Sequence, residues 1–165
     1  MQEEEDGVFE EEVTSTGDDW DLLIGSASEH AAIRIRRYAI AEPENNWDAN
    51  ALDCVVDVRG GAFRGRFAVT FWTQDFVRLR EGIERLDRDL EGEAAFETIE
   101  EQIHVRLTCN RLGHVAIAVK AMDVAGLGNR LTVSFESDQT MFAGVLAQLE
   151  SIVRRFPVWR GSPPT

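Results

Sequence analysis

The sequence predicts an α+β fold, in which a twisted antiparallel sheet carries two helices packed on one face. Two segments have the apolar spacing of amphipathic helices, at about 74–91 and 139–156, and a series of short strand-like segments precedes each of them. The chain is therefore predicted to consist of two ββββα-like halves. An antiparallel sheet can leave one face in water, and the two helices are available to cover the other. At 165 residues the chain has the length of one domain.

The strands of the first half are expected at 22–25, 31–40, 52–58 and 63–71. The last two have apolar residues at every second position, which is typical of strands with one buried face. If Gly60-Gly61 forms a two-residue turn, both apolar sets lie on one face of a hairpin. The expected cross-strand partners are Val58 with Phe63, Cys54 with Phe67, Leu52 with Val69 and, on the other face, Asp57 with Arg64.

The first helix is predicted from a stripe of apolar residues whose spacing alternates between three and four positions. The stripe consists of Phe76, Leu79, Ile83, Leu86 and Leu90. Thr73 is expected to cap the amino end of this helix, and Gly92 lies just past its carboxyl end.

The second half repeats the pattern, with strands expected at about 93–99, 102–110, 114–122 and 129–137. The stripe of its helix, which lies 66 positions after the first stripe, consists of Phe142, Val145, Leu149, Ile152 and Phe156. We expect Arg111-Leu112-Gly113 to form a three-residue turn with Gly113 in the left-handed conformation. This turn places Val105 opposite Val119, Leu107 opposite Ile117, His104 opposite Lys120 and His114 opposite Asn110.

The net charge of −13 is concentrated at the amino end, where residues 1–21 contain ten acidic residues and neither Lys nor Arg. Such a stretch repels itself and buries little apolar surface. We therefore expect a disordered acidic tail at 1–21, a single α+β domain at 22–158 and a carboxyl-terminal tail at 159–165. The acidic tail has two open interpretations, a solubilising segment or an arm that competes for a basic surface. The excess of acid argues against nucleic acid as a partner.

The sequence also predicts a cytoplasmic location. No apolar run reaches the roughly 18 residues of a membrane span. The first residues, MQEEED, have neither the basic nor the apolar region of a signal peptide. We therefore expect a cytoplasmic protein without a membrane partner, and the oligomeric state stays open.

The histidines and cysteines do not predict a reactive site. The hairpin register separates His104 from His114 by about 20 Å, whereas metal ligands lie about 2 Å from a shared ion, and His30 belongs to a separate segment. Cys54 and Cys109 fall on the apolar sides of their strands, where burial raises the thiol pKa and suppresses reactivity.

Glycine-rich motifs do not predict a reactive site either. Gly60-Gly61 and the segment 125–129 are interpreted as turns, because neither has the setting of a phosphate-binding loop. No sequence motif of a known catalytic group is present. We therefore expect no enzyme activity, no catalytic residue, no cofactor and no metal.

Several short motifs occur in a recognisable order. They are Asn46-Trp47 in the polar break before the first hairpin, Gly113-His114-Val115 at the start of a strand, Asn129-Arg130-Leu131 before the last strand, Asp138-Gln139-Thr140 before the last helix, and Phe156-Pro157-Val158 after it. Over about 45–158 this layout resembles the WapI-type immunity protein family, bacterial proteins associated with wall-associated, contact-dependent toxins. The resemblance implies a non-enzymatic antidote that binds a toxin domain in the cytoplasm and blocks its active surface.

The toxins of such systems are often nucleases, whose substrate channels are basic. An acidic inhibitor suits such a partner, because opposite charges steer association and fix orientation. The motif residues also have structural interpretations, in which Asp138 is the N-cap of the last helix, Trp47 closes the end of the sheet and His114 holds a hairpin end.

Two other functions stay open at this stage. One is a small-molecule-binding or enzymatic α+β domain that uses the open sheet face, with Trp47, His104 or His114 lining a single pocket. The other is a structural module for oligomerisation, which would present an extensive apolar interface.

Overall fold

The structure is a computed structural model that describes residues 19–160. Its elements are β1 (Leu22–Gly25), β2 (Glu29–Tyr38), α1 (Asn46–Ala49), β3 (Ala51–Gly60), β4 (Phe63–Trp72), α2 (Thr73–Asp89), β5 (Gly92–Glu97), β6 (Ile103–Cys109), β7 (His114–Met122), β8 (Arg130–Asp138) and α3 (Met141–Arg155). The sequence analysis predicts each of these elements except the short helix α1, which forms within the polar break.

The strands form two four-stranded antiparallel sheets, and the prediction of a single sheet is wrong. The first sheet has the order β1-β2-β3-β4 and the second has the order β5-β6-β7-β8, so each half of the chain builds its own sheet. The α+β class and the two ββββα halves are confirmed.

The two sheets meet where strand β8 crosses glycine positions of the first sheet. A Cβ atom added to Gly60 would lie 2.7 Å from Val133 Cβ, and one added to Gly25 would lie 2.8 Å from the Phe135 ring. Side chains of β8 therefore pack directly on the backbone of the first sheet. Because side chains instead of backbone hydrogen bonds make this contact, β8 does not extend the first sheet.

Each long helix contacts the sheet of the other half, and α2 also contacts β4 of its own half. Helix α2 contacts β5, α3 contacts β1, and the two helices contact each other. The ring centroids of Phe71 and Phe76 lie 5.1 and 5.4 Å from that of Phe96 on β5. Nine of the ten predicted stripe residues are confirmed as core, since Phe76, Leu79, Ile83, Leu86, Phe142, Val145, Leu149, Ile152 and Phe156 are buried. Leu90 is only partly buried, because it is the C-cap of α2 and has left the helical conformation, with a φ of 51°. Within residues 19–160, no helix is long and apolar enough to cross a membrane.

The predicted register of the β3–β4 hairpin is wrong by two residues. The observed partners are Gly60 with Phe63, Val58 with Gly65, Val56 with Phe67, Cys54 with Val69 and Leu52 with Phe71. The turn lies at Gly61-Ala62, where Gly61 supplies the positive φ of 58°. Gly60 instead lacks the Cβ atom that would collide with Val133. Gly61 is therefore the turn residue, and Gly60 allows β3 to pack closely against β8.

A shift of two residues keeps every side chain on its predicted face, because side chains alternate along a strand. The apolar residues of β3 and β4 therefore share a face, as predicted. Arg64 still reaches Asp57, although it does so diagonally, since Arg66 is the residue directly opposite. In the β6–β7 hairpin the predicted register is confirmed, including His104 opposite Lys120, and Gly113 has a φ of 81°.

The ends of the helices differ from the predictions in two places. Thr73 is the first residue of α2, and the preceding Trp72 is its N-cap, with its backbone N–H donating to the Asp75 carboxylate (2.8 Å). Asp138 lies in β8 and does not cap α3, whose N-cap is Thr140. The Asp138 carboxylate instead accepts hydrogen bonds from the Thr140 N–H and hydroxyl, and these bonds close the turn between β8 and α3.

The two predicted tails lie partly outside the described residues, which exclude 1–18 and 161–165. At the carboxyl end of the acidic stretch, Trp20 and Asp21 contact the first sheet. The Asp21 carboxylate accepts hydrogen bonds from the Ile35 N–H (2.7 Å) and from the Arg155 guanidinium (2.6 Å). Trp20 and Asp21 therefore pack against the domain, although the sequence assigns them to the acidic tail.

Candidate protein-interaction site

The histidines lie at three separate places in the structure. His30 is in β2, His104 Nε2 lies 3.4 Å from Glu97 Oε1 on the second sheet, and His114 opens β7. Trp47 is in α1, and neither Trp47 nor His114 lines the groove that contains His104. Among residues 19–160, no group of three or more His, Cys, Asp or Glu side chains could hold a metal ion.

A shallow groove lies on the second sheet around His104 and Lys120. Its charged lining residues are Glu97, Glu101, His104, Lys120 and Arg130. Acidic and basic side chains are mixed along this groove, so it presents no net charge that would select an anionic or a cationic ligand.

The cysteines have the structural role that the sequence predicts. Cys54 and Cys109 are both buried and unpaired. Burial raises the pKa of each thiol above its ordinary value, most strongly for Cys54. Because the thiolate is the nucleophilic form, both side chains are unreactive core residues at neutral pH.

The first sheet contains a buried charge cluster that the sequence analysis predicts only in part. Asp57 is fully buried, with Oδ1 2.8 Å from His30 Nε2 and Oδ2 accepting from Arg64. His30 Nδ1 lies 2.7 Å from the carbonyl oxygen of Ser26. Burial by itself raises the pKa of Asp57, but hydrogen bonds from Arg64 and His30 outweigh it and hold the pKa below its usual value. Sequence spacing indicates the Asp57–Arg64 pair, whereas His30 joins only through the β2–β3 pairing.

Two of the family motifs meet at one place and have structural roles there. The Gln139 N–H donates to the Gly113 carbonyl (2.9 Å), and His114 pairs with Asp138 across β7 and β8. Hydrogen bonds from Thr140, with a smaller contribution from His114, lower the pKa of Asp138. These contacts join the β6–β7 turn to the start of α3, so they position a turn and do not form a binding site.

The glycine-rich segment 125–129 belongs to a loop, as predicted. The Asn129 backbone N–H donates to Asp123 Oδ1 (2.7 Å), and Asn129 Nδ2 donates to Asp123 Oδ2 (3.0 Å). These hydrogen bonds lower the pKa of Asp123. Asn129, the first residue of a third family motif, therefore closes this loop.

Trp47, Trp72 and Trp159 form a surface that we call the tryptophan patch. Trp47, on the one-turn helix α1, stacks on Trp72 at the end of β4, with ring centroids 4.9 Å apart and an interplanar angle of 27°. The helix is held by Asn45, whose side-chain oxygen accepts from the Asp48 N–H (2.8 Å). Trp47 is 46% exposed and Trp159 is 40% exposed, so both rings are available to a partner.

Asn50 joins the two segments that carry the exposed tryptophans. Its buried side chain accepts from the Trp159 N–H (2.7 Å) and donates to the Trp159 carbonyl (3.2 Å) and the Asn46 carbonyl (2.7 Å). Tyr38 packs edge-on against Phe156 nearby, with ring centroids 5.2 Å apart. Helix α1 and the carboxyl-terminal segment are therefore fixed side by side, although 109 residues separate Asn50 from Trp159.

Acidic residues accompany the patch. The segment that leads to α1 carries Glu42, Glu44 and Asp48 and contains no Lys or Arg. Ion pairs join Arg37 to Asp53, Arg78 to Asp75 and Arg155 to Asp21. Arg160 directly follows Trp159 and adds one positive charge beside the patch. The patch thus combines exposed aromatic rings with nearby acidic side chains, of which Asp48 accepts a hydrogen bond from the Asn45 side chain (2.9 Å). Sequence reasoning singles out only Trp47 here, because the other members come from distant segments.

Comparisons with known proteins identify the family. No curated protein is significantly similar to the chain in sequence. Among solved structures, a chain of the Trypanosoma brucei MRP1/MRP2 crystal structure matches 79% of this chain and 77% of its own length, with 11% sequence identity and a TM-score of 0.40. The family model of the immunity protein WapI-like family matches residues 22–157, which extends the resemblance found in the sequence toward the amino end. The chain therefore belongs to the immunity protein WapI-like family.

Proposed function

We propose that the chain is a non-enzymatic immunity protein that binds a toxin domain and blocks its active surface in the cytoplasm of the producing cell. Family membership supports the class of function. The observation that carries the proposal for this chain is the tryptophan patch, because exposed aromatic rings lie there beside an acidic segment.

The patch has the composition of an interaction centre. Tryptophan and tyrosine dominate the binding energy of protein interfaces, because a large rigid ring buries much apolar area with little loss of conformational entropy. Trp47 and Trp159 are each fixed by neighbours, Trp47 by Trp72 and Trp159 by Asn50. A partner that covers both rings therefore gains apolar contact without ordering a loose segment.

The charge of the patch suggests the kind of toxin. Glu42, Glu44 and Asp48 would face a basic surface, and opposite charges accelerate association and fix orientation. A nuclease domain meets this condition, because its substrate channel must attract a phosphate backbone. We propose that the toxin is such a domain and that the patch covers the entrance of its channel.

The toxin encoded beside the gene tests the function. We expect co-expression of the chain to relieve the growth arrest that this toxin causes, and the purified proteins to form a stable complex. A chain that neither binds this toxin nor relieves growth arrest is not its immunity protein.

Two variants test the site within that function. We expect Trp47→Ala and Trp159→Ala each to weaken toxin binding by about 30-fold, which corresponds to about 2 kcal/mol. Phe63→Ala and Leu112→Ala are matched controls, because these exposed apolar residues lie at the tips of other hairpins. They should leave the affinity unchanged. Thermal melting of each variant separates a lost contact from lost stability.

The result also distinguishes the function from the site. If the wild-type chain binds but both tryptophan variants bind equally well, the immunity function stands and another surface contacts the toxin. If the tip variants weaken binding instead, the hairpin tips form the interface.

A further inference from the structure

The outer face of the first sheet is basic, in contrast to the acidic chain as a whole. The strand registers place five arginines on it, and we call this surface the arginine face. Its members are Arg34 and Arg37 on β2, Arg59 on β3, and Arg64 and Arg66 on β4. The acidic side chains on the same face are Asp53 and Asp57, of which Asp57 is fully buried. Asp53 pairs with Arg37 and Asp57 with Arg64, so the excess positive charge of the face comes from Arg34, Arg59 and Arg66. The exposed part of the face therefore attracts anions.

The acidic segment 1–18 joins the described chain at this face. The Asp19 carbonyl accepts a hydrogen bond from Arg34 Nε (3.1 Å). The Trp20 ring is covered by two guanidinium groups, with Arg34 Cζ 5.2 Å and Arg66 Cζ 5.4 Å from its centroid. Trp20 is only 9% exposed, so it fixes the point from which the segment starts.

Charge and length both suit a contact between this segment and the arginine face. Residues 1–18 contain eight acidic residues and no Lys or Arg. Fully extended, the segment could span about 60 Å, whereas a four-stranded sheet is only about 15–20 Å wide. Because the segment is tethered at the face, its local concentration there is high, and weak ion pairs are enough to hold it.

We propose that residues 1–18 bind the arginine face of the same molecule and shield it from other polyanions. The acidic segment is then an intramolecular occupant of the basic face, and the tryptophan patch stays uncovered. This inference does not depend on the identity of a toxin, so its failure would leave the proposed immunity function intact.

A spin label on the segment tests its position. We would place a nitroxide at Ser15→Cys, since both native cysteines are buried, and record amide resonances of the full-length chain. At low salt we expect strong broadening for residues of the arginine face such as Ala68, and little for Ala118 on the outer face of the second sheet. The difference should disappear at about 0.5 M salt, where the Debye length is only about 4 Å. Equal broadening of both faces, or none, would overturn the proposal.

Heparin, a soluble polyanion, tests the shielding. The full-length chain should bind heparin weakly, and replacing Glu3, Glu4, Glu5, Glu10, Glu11 and Glu12 by Gln should strengthen binding about tenfold or more at low salt. The matched control replaces six acids elsewhere, Glu81, Glu84, Glu93, Glu100, Glu101 and Glu136, by Gln. This control changes the net charge by the same amount but should strengthen heparin binding less. If both sets have the same effect, net charge alone is responsible and the proposal is wrong.

The arginines provide the last control. In the chain with a neutralised segment, Arg59→Gln with Arg66→Gln should abolish the gained heparin binding. Arg85→Gln with Arg106→Gln, which removes two exposed arginines from other surfaces, should not. Heparin binding that survives the first pair and is lost with the second would place the polyanion elsewhere and contradict the proposal.

Discussion

Each ring nitrogen of His30 lies within hydrogen-bond distance of an oxygen atom. Nδ1 lies 2.7 Å from the Ser26 carbonyl oxygen and Nε2 lies 2.8 Å from the Asp57 carboxylate. A carbonyl oxygen can only accept, and the lowered pKa of Asp57 keeps its carboxylate ionised. The first sheet therefore contains a buried carboxylate that is held from two sides, by the His30 ring and by the Arg64 guanidinium.

Removing the carboxylate should destabilise the fold. We expect Asp57→Asn to lower the free energy of unfolding by about 3–5 kcal/mol, because it removes the buried carboxylate that binds both the His30 ring and the Arg64 guanidinium. Asp53→Asn on the same strand and face is the control, since Asp53 and its partner Arg37 are partly exposed, and should cost about 0.5 kcal/mol or less. Urea unfolding measures both. Equal losses in the two variants would contradict the role of the buried carboxylate.

The Asp57 carboxylate should also make the free energy of unfolding depend on pH at acidic pH. The pKa of Asp57 is lower in the folded chain than its value of about 3.9 in an unfolded one. Its contribution is therefore complete above about pH 4 and is lost as the pH falls through the folded pKa. The stability difference between wild type and Asp57→Asn should thus shrink from about pH 7 to about pH 3 in urea titrations. A stability difference between the two proteins that grows as the pH falls would contradict this prediction.

At the scale of elements, the two long helices hold the core together. Ile83 of α2 and Leu149 of α3 are fully buried. We expect Ile83→Ala and Leu149→Ala each to cost about 2–5 kcal/mol of unfolding free energy, because each leaves a cavity between the sheets. Leu146→Ala, at a half-buried position of the same helix as Leu149, should cost less. A smaller effect at Leu149 than at Leu146 would mean that α3 presents another face to the core.

Replacing Gly60 of β3 and Gly144 of α3 by Ala should change the stability of the protein in opposite directions. In Gly60→Ala the new methyl group would lie 2.7 Å from Val133, so the β3–β8 contact must open, at a cost of about 1–3 kcal/mol. In Gly144→Ala the methyl group meets nothing within 4 Å, and the helix gains about 0.5–1 kcal/mol from the better helix former. Thermal unfolding of both variants compares the two. A stabilising Gly60→Ala would show that β8 does not depend on this close approach.

At the scale of the whole molecule, the halves are interdependent even though each has its own sheet. Helix α2 of the first half packs on β5 of the second, and α3 of the second packs on β1 of the first. Each half alone would therefore expose the helix stripe that the other half covers.

We therefore expect neither half to fold by itself. Residues 19–91 and 92–160, expressed separately, should lack the dispersed amide spectrum of a folded protein, because each lacks a closed core. Mixing the two fragments should restore part of this dispersion. If the first half folded in isolation, α2 would not need its contact with β5, which would contradict this prediction. The intact chain is the control for both fragments.

The sequence determined the local structure of this protein. The stripes of α2 and α3, the eight strands and the β6–β7 register follow from side-chain periodicity and turn chemistry, which act between residues close in the chain. The family was also accessible, because its motifs are short and ordered along the sequence.

Only the tertiary structure decided how these elements combine. The sequence looks the same whether Gly60 forms the hairpin turn or makes room for a packed side chain. The β3–β4 register could therefore be established only from the contact between Gly60 and Val133. The tryptophan patch likewise depends on Asn50 joining Trp159 to α1, a contact between distant segments. Long-range packing decided the number of sheets, the contact of each helix with the other half and the candidate interface. A periodic pattern indicates which face of an element is buried but not which partner buries it.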